Sequence, residues 1–455
     1  MASPMGSMEK PRVPCYDFVG LGFGPANLAV AIAADERACL GNSQNAMLSV
    51  YLDRQPEFNW HQGMLLDDAR LQVVFLKDLI TMANPRSRYT FINYLYESGR
   101  LHDFINLRSF YPTRIEFNEY YKWVAAHFSS FTRFGRKITR VTPVVNDDGT
   151  VDAIDVSAEH LGSGELETYR ASNLTVALGK VPKTPEGVRR CGGSRAFHSS
   201  ECTHRLKDKF ADIQAGHHFV IVGSGQTAAD VLYHLIRTYP NATITACMRG
   251  FAFKPQDDTH FVNELFFPNA TDLIFDMPET KRRALIARHN DVTHSAVDAD
   301  LLPLIYDAIY QDKVCGRNRL AIQRFHELEA AEEHEDYVSA VFRDQARECA
   351  VEIRCDALIM ATGYDQRVTL ELLRDLRPFL VANQDGEFQV ERNYYVKRQP
   401  GFRPKVYLEG YCEATHGFSD VLLSLLPVRS ARIVDDLLAE RSSAVEFELV
   451  TAAMD

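Results

Sequence analysis

Phe18-Val19-Gly20-Leu21-Gly22-Phe23-Gly24-Pro25-Ala26-Asn27-Leu28 is the stretch that decides the fold. An apolar run over residues 16–19 enters a turn with glycines at 20, 22 and 24. An apolar, alanine-rich run over residues 26–34 follows. That order predicts strand, glycine turn and helix. In such a unit the backbone comes close to a pyrophosphate and the helix N-terminus offers it free N–H groups. One glycine turn is weak evidence. A second one, Gly223-Ser224-Gly225-Gln226-Thr227-Ala228, comes directly after the strand-like residues 217–222 and before a helical pattern over 227–236. Together they predict an α/β protein with two Rossmann-like dinucleotide-binding domains.

The residues after each turn predict different nucleotides. The apolar run 48–52 ends in Asp53, 33 positions beyond Gly20, farther than the usual ~20; a helix and a loop over residues 26–46 fill the distance. A carboxylate at the end of that strand accepts hydrogen bonds from ribose hydroxyls, which suits FAD or NAD. The matching strand of the second unit, residues 242–248, ends in Arg249, and a cation there pairs with a 2′-phosphate. The expected cofactors are therefore FAD at the first turn and NADPH at the second.

A chain of 455 residues holds two or three domains. A net charge of −11 argues against nucleic acid or an anionic membrane as partner. The nine cysteines include no C-x-x-C pair, which argues against a disulfide framework and a zinc ribbon and fits a reducing cytoplasm. Residues 18–34 are apolar enough to imitate a membrane span, but their glycines and proline mark a strand–turn–helix. No signal peptide is apparent, and residues 1–7 read as an added leader before a start at Met8.

The expected organisation is a FAD-binding domain over residues 8–209, an NADPH-binding domain over 210–256 and 305–355, a substrate-binding insertion over 257–304, and a return to the FAD domain over 356–455. Strands are expected at 173–178 and 353–360, and a linker at 181–200. The insertion carries Phe261-Val262-Asn263-Glu264-Leu265-Phe266-Phe267-Pro268, too aromatic for a solvated loop. Helical spacing is expected at 299–310 and at 421–439, the latter broken at Pro427. The acidic run 327–336 reads as a solvated helix face.

The chain resembles the flavin-dependent N-hydroxylating monooxygenases of siderophore biosynthesis, above all the bacterial L-ornithine N5-monooxygenases and, beside them, the L-lysine N6-monooxygenases. The likeness spans most of residues 16–430. It is carried by Gly22-Phe23-Gly24-Pro25-Ala26-Asn27-Leu28, Phe58-Asn59-Trp60-His61-Gln62-Gly63-Met64-Leu65, Phe75-Leu76-Lys77-Asp78-Leu79, Pro85-Arg86-Ser87 and Phe91-Ile92-Asn93-Tyr94-Leu95. It continues through residues 223–230 and 261–268, Ala361-Thr362-Gly363-Tyr364 and Thr415-His416-Gly417-Phe418-Ser419-Asp420.

The resemblance implies that NADPH reduces FAD, O2 adds at the flavin C4a, and the distal oxygen of that hydroperoxyflavin passes to a primary amine. It implies that Lys77 pairs with the substrate carboxylate, that Asn263 lies near the amine and the nicotinamide nucleotide, and that Ser419 lies near the substrate head group and the flavin. Trp60, Met64 and Gln72 would line the isoalloxazine, with His61, Thr362, Gly363 and Asp420 also on the cofactor side. Gln226 and Thr227 would meet the NADPH pyrophosphate beside Gly223, Ser224 and Gly225. Where the ornithine enzymes usually carry Asn and Tyr, this chain has Thr293 and His294, and that Asn helps hold the amino-acid head group. L-Ornithine leads as substrate; L-lysine, putrescine, cadaverine and histamine stay open. So do oxygenation at carbon or sulfur and a non-catalytic FAD- and NADP-binding redox module. The expected partners are a small amine and O2, in a cytoplasmic homo-oligomer, dimer or tetramer. No metal site is expected, and no Ser–His–Asp constellation is apparent among the 15 histidines.

Overall fold

The computed structural model describes residues 14–40, 45–189, 194–289, 296–366 and 370–452, with the backbone alone at 189 and 442–452. Two parallel five-stranded sheets organise it. The first runs in the order Val406–Leu408, Leu174–Val176, Phe18–Leu21, Ser49–Leu52, Thr132–Arg133. The second runs Ala196–His198, Ala357–Met360, His218–Val222, Thr243–Met248, Leu320–Arg324. Their central strands are apolar on both faces because helices or further sheets cover both sides. Pro25–Leu40 and Gln226–Thr238 follow the two glycine turns as expected. A four-stranded sheet flanks each parallel one: Cys15–Tyr16, Leu166–Ala171, Val151–His160 and Arg136–Val145 beside the first, Val188–Arg189, His326–Glu333, Val338–Asp344 and Cys349–Cys355 beside the second.

Several expectations are corrected. The strand that enters the first glycine turn begins at Phe18, since Asp17 separates it from Cys15–Tyr16 and exchanges hydrogen bonds with Leu48 (N–H to Leu48 O 2.8 Å, carboxylate from Leu48 N–H 2.7 Å). Residues 353–360 form two strands, not one. They are separated at Asp356, whose carboxylate accepts the His218 N–H at 2.7 Å. The supposed linker 181–200 contains the buried edge strand Ala196–His198, and its Val181–Pro182 pairs antiparallel with Tyr364–Asp365. Both Ala196–His198 and Ala357–Met360 fall in ranges expected for the first domain, yet they belong to the second sheet.

The acidic run lies largely in the strand His326–Glu333, not on a helix. Its Glu333 is buried and accepts the Arg195 N–H at 2.8 Å. Pro427 breaks nothing. It is the second residue of the helix Leu426–Ala452, where no N–H is needed, and two short 3₁₀ turns, Phe418–Val421 and Leu423–Leu425, precede it. The helix expected at 299–310 is Leu301–Val314. Among the described residues no helix is long and apolar enough to cross a membrane.

Candidate functional site

The two glycine turns are built alike. At Gly22 (φ 84°) an added Cβ would stand 2.5 Å from the carbonyl oxygen of Ala177, just past the neighbouring strand Leu174–Val176. At Gly223 (φ 141°) it would stand 2.5 Å from the carbonyl oxygen of Ala361, just past Ala357–Met360. Only glycine lets the turn pass so close at such angles. Gly20 faces the Tyr51 ring and Gly24 faces open space, with no atom within 4 Å of its added Cβ. Pro25 opens the first helix, and neither helix has an acidic residue in its first turn. Open space at Gly24, and at both places a helix whose first turn carries no acidic residue, suit a pyrophosphate.

The turns differ in their side chains. Asp53, half-buried, accepts the N–H of Phe23 at 2.7 Å and of Gln55 at 2.8 Å, and so ties the glycine turn to the end of its own second strand. In the second turn Gly225 precedes the helix in extended conformation. The Gln226 side chain is turned away from the phosphate position. Its Oε1 accepts Asp298 N–H at 2.7 Å and Gln72 Nε2–H at 3.2 Å, and its Nε2 donates to Asp230 Oδ1 at 2.8 Å. The donors left that could meet a phosphate are the backbone N–H groups of Ser224, Gly225, Gln226 and Thr227. Arg249 ends its strand exposed, with Nη1 3.7 Å from Glu327 Oε1.

Residues expected beside the flavin lie along the seam between the two sheets. Trp60 is half-buried, edge-on to Tyr121, and its N–H donates to Asn118 Oδ1 at 2.8 Å. His61 has a left-handed backbone (φ 49°) and a solvent-open ring. Crowding by protein atoms, then the Arg114 charge, lowers its pKa, though solvent access tempers both effects. Met64 is buried in the core beneath the second sheet, packed with Phe197 and Leu206. Gln72 is exposed and bridges Gln226 and Gln256 (3.1 Å). Thr362 and Gly363 hold the chain crossing. The Thr362 hydroxyl donates to Lys183 O, and Gly363 O accepts the Lys183 N–H at 2.9 Å.

Lys77 has the most telling surroundings. It is half-buried, and burial alone lowers its pKa, with no carboxylate raising it. The adjacent Asp78 does not pair with it. Asp78 turns inward and accepts N–H groups of Ile80, Thr81 and Phe91 at 3.0, 2.6 and 2.8 Å. Asn263 sits in the turn Val262–Phe266. Its Nδ2 donates to Asp258 O at 2.7 Å, which leaves the amide oxygen without a protein donor among the described residues. Ser419 is fully buried behind that turn, with Oγ donating to Leu265 O at 3.3 Å and standing 3.4 Å from Thr271 Oγ1. Asp420, expected on the cofactor side, has its carboxylate committed elsewhere. It accepts Cys412 N–H at 2.6 Å and Arg429 Nη1–H at 2.9 Å. Thr293 and His294 lie outside the described residues. Among the described residues no cluster of His, Cys, Asp or Glu suits a metal.

Two residues of the region were not singled out in sequence. Arg114, at the start of the helix Arg114–Ala126, reaches across the seam to Asp230 at 2.7 Å, both side chains largely buried. Arg429 is fully buried between Asp420 and Glu409, and burial pushes the Glu409 carboxyl up to about 7. Neither has a local signal, because each partner lies on another element.

The model of the family described as L-lysine 6-monooxygenase/L-ornithine 5-monooxygenase matches residues 14–366. The L-ornithine N(5)-monooxygenase of Burkholderia cepacia is 38% identical over 408 residues, covering 89% of this chain and 90% of that one. Among solved structures, ornithine hydroxylase PvdA from Pseudomonas aeruginosa superposes with a TM-score of 0.86 at 35% identity, over 94% of this chain and 99% of that one. The ornithine N-hydroxylase KtzI of Kutzneria sp. 744, whose structure is described with reduced FAD, NADP+ and L-ornithine, gives 0.87 at 33% identity, over 94% of this chain and 100% of that one.

Proposed function

The chain belongs to the L-lysine 6-monooxygenase/L-ornithine 5-monooxygenase family, and on that premise we propose that it N-hydroxylates the side-chain amine of L-ornithine, with FAD, NADPH and O2, for siderophore biosynthesis. The observation that carries the choice of an amino acid over a diamine is Lys77, a half-buried ammonium without a counter-charge among the described residues; the similarity to ornithine hydroxylases supports ornithine over lysine. An amino-acid carboxylate supplies what it lacks, whereas a decarboxylated diamine leaves it unpaired.

Bound FAD, reduced by NADPH, supplies the activation of O2. The protein's part is to hold and to exclude. The first turn and Asp53 hold FAD; the backbone of the second turn and Arg249 hold NADPH. Lys77 fixes the head group, so the amine end extends towards neutral partners only. The free amide oxygen of Asn263 accepts an amine N–H without supplying negative charge. Partial burial there favours the uncharged amine, the form that has a lone pair for the transferred oxygen. The seam between the sheets limits water, which otherwise diverts reducing equivalents to hydrogen peroxide.

The division of the chain into FAD, NADPH and substrate parts belongs to this reading, with residues 194–200 and 356–361 counted with the NADPH part. So does a homo-oligomer, for which the exposed Tyr96, Ile105, Leu107 and Phe110 speak, and a cytoplasmic location, which the free cysteines favour.

The test is hydroxylamine formation per NADPH across ornithine, lysine, putrescine, cadaverine and histamine. Ornithine should be turned over best. Lys77→Ala should lower kcat/KM for ornithine by roughly 10- to 100-fold, the worth of one shielded charge-assisted contact, while FAD content stays unchanged. Better turnover of putrescine or histamine by the parent enzyme would withdraw ornithine and give Lys77 another role.

A further inference from the structure

Arg429 makes both of its hydrogen bonds to one residue. Its Nη1 donates to the main-chain oxygen of Asp420 at 2.6 Å and to the Asp420 carboxylate at 2.9 Å. The other face of that carboxylate accepts the Cys412 N–H at 2.6 Å. Glu409, at the end of the strand Val406–Leu408, stands 3.4 Å from Arg429 Nε without hydrogen-bond geometry, so it balances charge without fixing direction. All three side chains are at most 1% exposed.

A buried ion cluster is a poor source of stability, since apolar groups of the same shape pack at least as well; what it supplies is defined geometry. Here the geometry is spent on residue 420. A guanidinium gripping both the carbonyl and the carboxylate of Asp420 fixes the Asp420–Val421 peptide plane and the side chain before it, and so the short 3₁₀ turn Phe418–Val421 that carries Ser419. From Ser419 the contact passes to Leu265 O at 3.3 Å and to Thr271 at 3.4 Å. Leu265 lies in the same 3₁₀ turn as Asn263, two residues away.

We infer that Arg429 is a positioning residue for amine hydroxylation: through Asp420 and Ser419 it holds the turn that presents Asn263 to the substrate amine. This rests on the assignment of Asn263 above. The line runs from the helix Leu426–Ala452, which packs on the first sheet's core, to the substrate insertion, and no step of it touches the glycine turns.

The test uses the full-length, FAD-loaded protein with Arg429→Lys, Asn263→Ala, their double variant and Glu409→Gln. Lysine keeps the charge, but its ammonium sits on a shorter, flexible stem and lacks the fixed plane that aims the two Nη1 hydrogens at the Asp420 carbonyl and carboxylate. Arg429→Lys should shift NADPH-derived electrons from hydroxylamine to hydrogen peroxide and lower kcat for ornithine on the order of tenfold or more, as small misplacements near a reacting atom do. Hydrogen–deuterium exchange should rise over residues 259–267 and 417–422, in the absence of substrate as well. The double variant should couple no worse than Asn263→Ala, since both act on one contact. Glu409→Gln should keep wild-type coupling.

Reduced melting temperature and FAD content with coupling and exchange unchanged in Arg429→Lys would overturn the inference. So would additive losses in the double variant, or a loss in Glu409→Gln equal to that of Arg429→Lys. Failure of the parent enzyme to hydroxylate ornithine would instead overturn the functional reading itself.

Discussion

The two glycine turns use one backbone device for two different tasks. Each presses a glycine against the carbonyl oxygen of a neighbouring strand and opens a helix towards a phosphate. At the first, the charged residue that follows, Asp53, is held by two short hydrogen bonds, one from Phe23 of the turn and one from Gln55 beyond its own strand. At the second, the charged residue, Arg249, stands in solvent with one loose partner at 3.7 Å. A carboxylate already fixed by its own backbone offers a rigid surface that costs little further ordering, as a retained prosthetic group needs. An exposed arginine must be ordered at each encounter, and that suits a cosubstrate which binds and leaves each turnover.

The largest effect is expected at the first turn. Asp53→Ala removes two hydrogen bonds to a charged acceptor, about 2–4 kcal/mol of local stabilisation. The purified variant should lose FAD during gel filtration and melt several degrees lower; full FAD retention would break the contrast at its root. Arg249→Ala should act more weakly and elsewhere. KM for NADPH should rise roughly tenfold, about 1.5 kcal/mol for a solvent-exposed phosphate contact, with KM for NADH and FAD content unchanged. Equal effects on the two nucleotides would remove Arg249 from the 2′-phosphate. The smallest change is Glu327→Gln, which frees Arg249 from a partner worth less than about 1 kcal/mol. KM for NADPH should fall, by less than about threefold at 0.1 M salt and less still at high salt. A rise would mean that Glu327 orients the arginine instead of competing for it.

The comparison also marks what a sequence reveals. Both turns were legible because glycine spacing, apolar strand and helix start are local patterns, and Asp53 and Arg249 were legible as strand ends. Lys77 and Asn263 were reached through motifs, but their state was not. Only the fold shows that Asp78 turns inward and leaves Lys77 without a counter-charge among the described residues. Ala196–His198 was hidden in a stretch of proline, glycine and serine because three residues carry no period. The strand His326–Glu333 reads as a helix face in sequence because its glutamates mask the alternation of buried and exposed positions. Arg114 and Arg429 gave no sign at all, since the partner of the first lies 116 residues away on another element and the second gains its meaning only from burial.

The short pairing of Val181–Pro182 with Tyr364–Asp365 has a practical consequence. The chain leaves the first sheet and returns to it at one spot, over two strands that run side by side. The whole excursion between them is therefore a cassette with adjacent ends. Exchanging it for the corresponding part of a relative requires matching two dipeptides and the seam around Arg114 and Gln72, and leaves the strands of the first sheet uncut. A chimera made at those positions would transfer the preference between NADPH and NADH together with Asn263, with Lys77, the partner of the substrate carboxylate, left behind in the host.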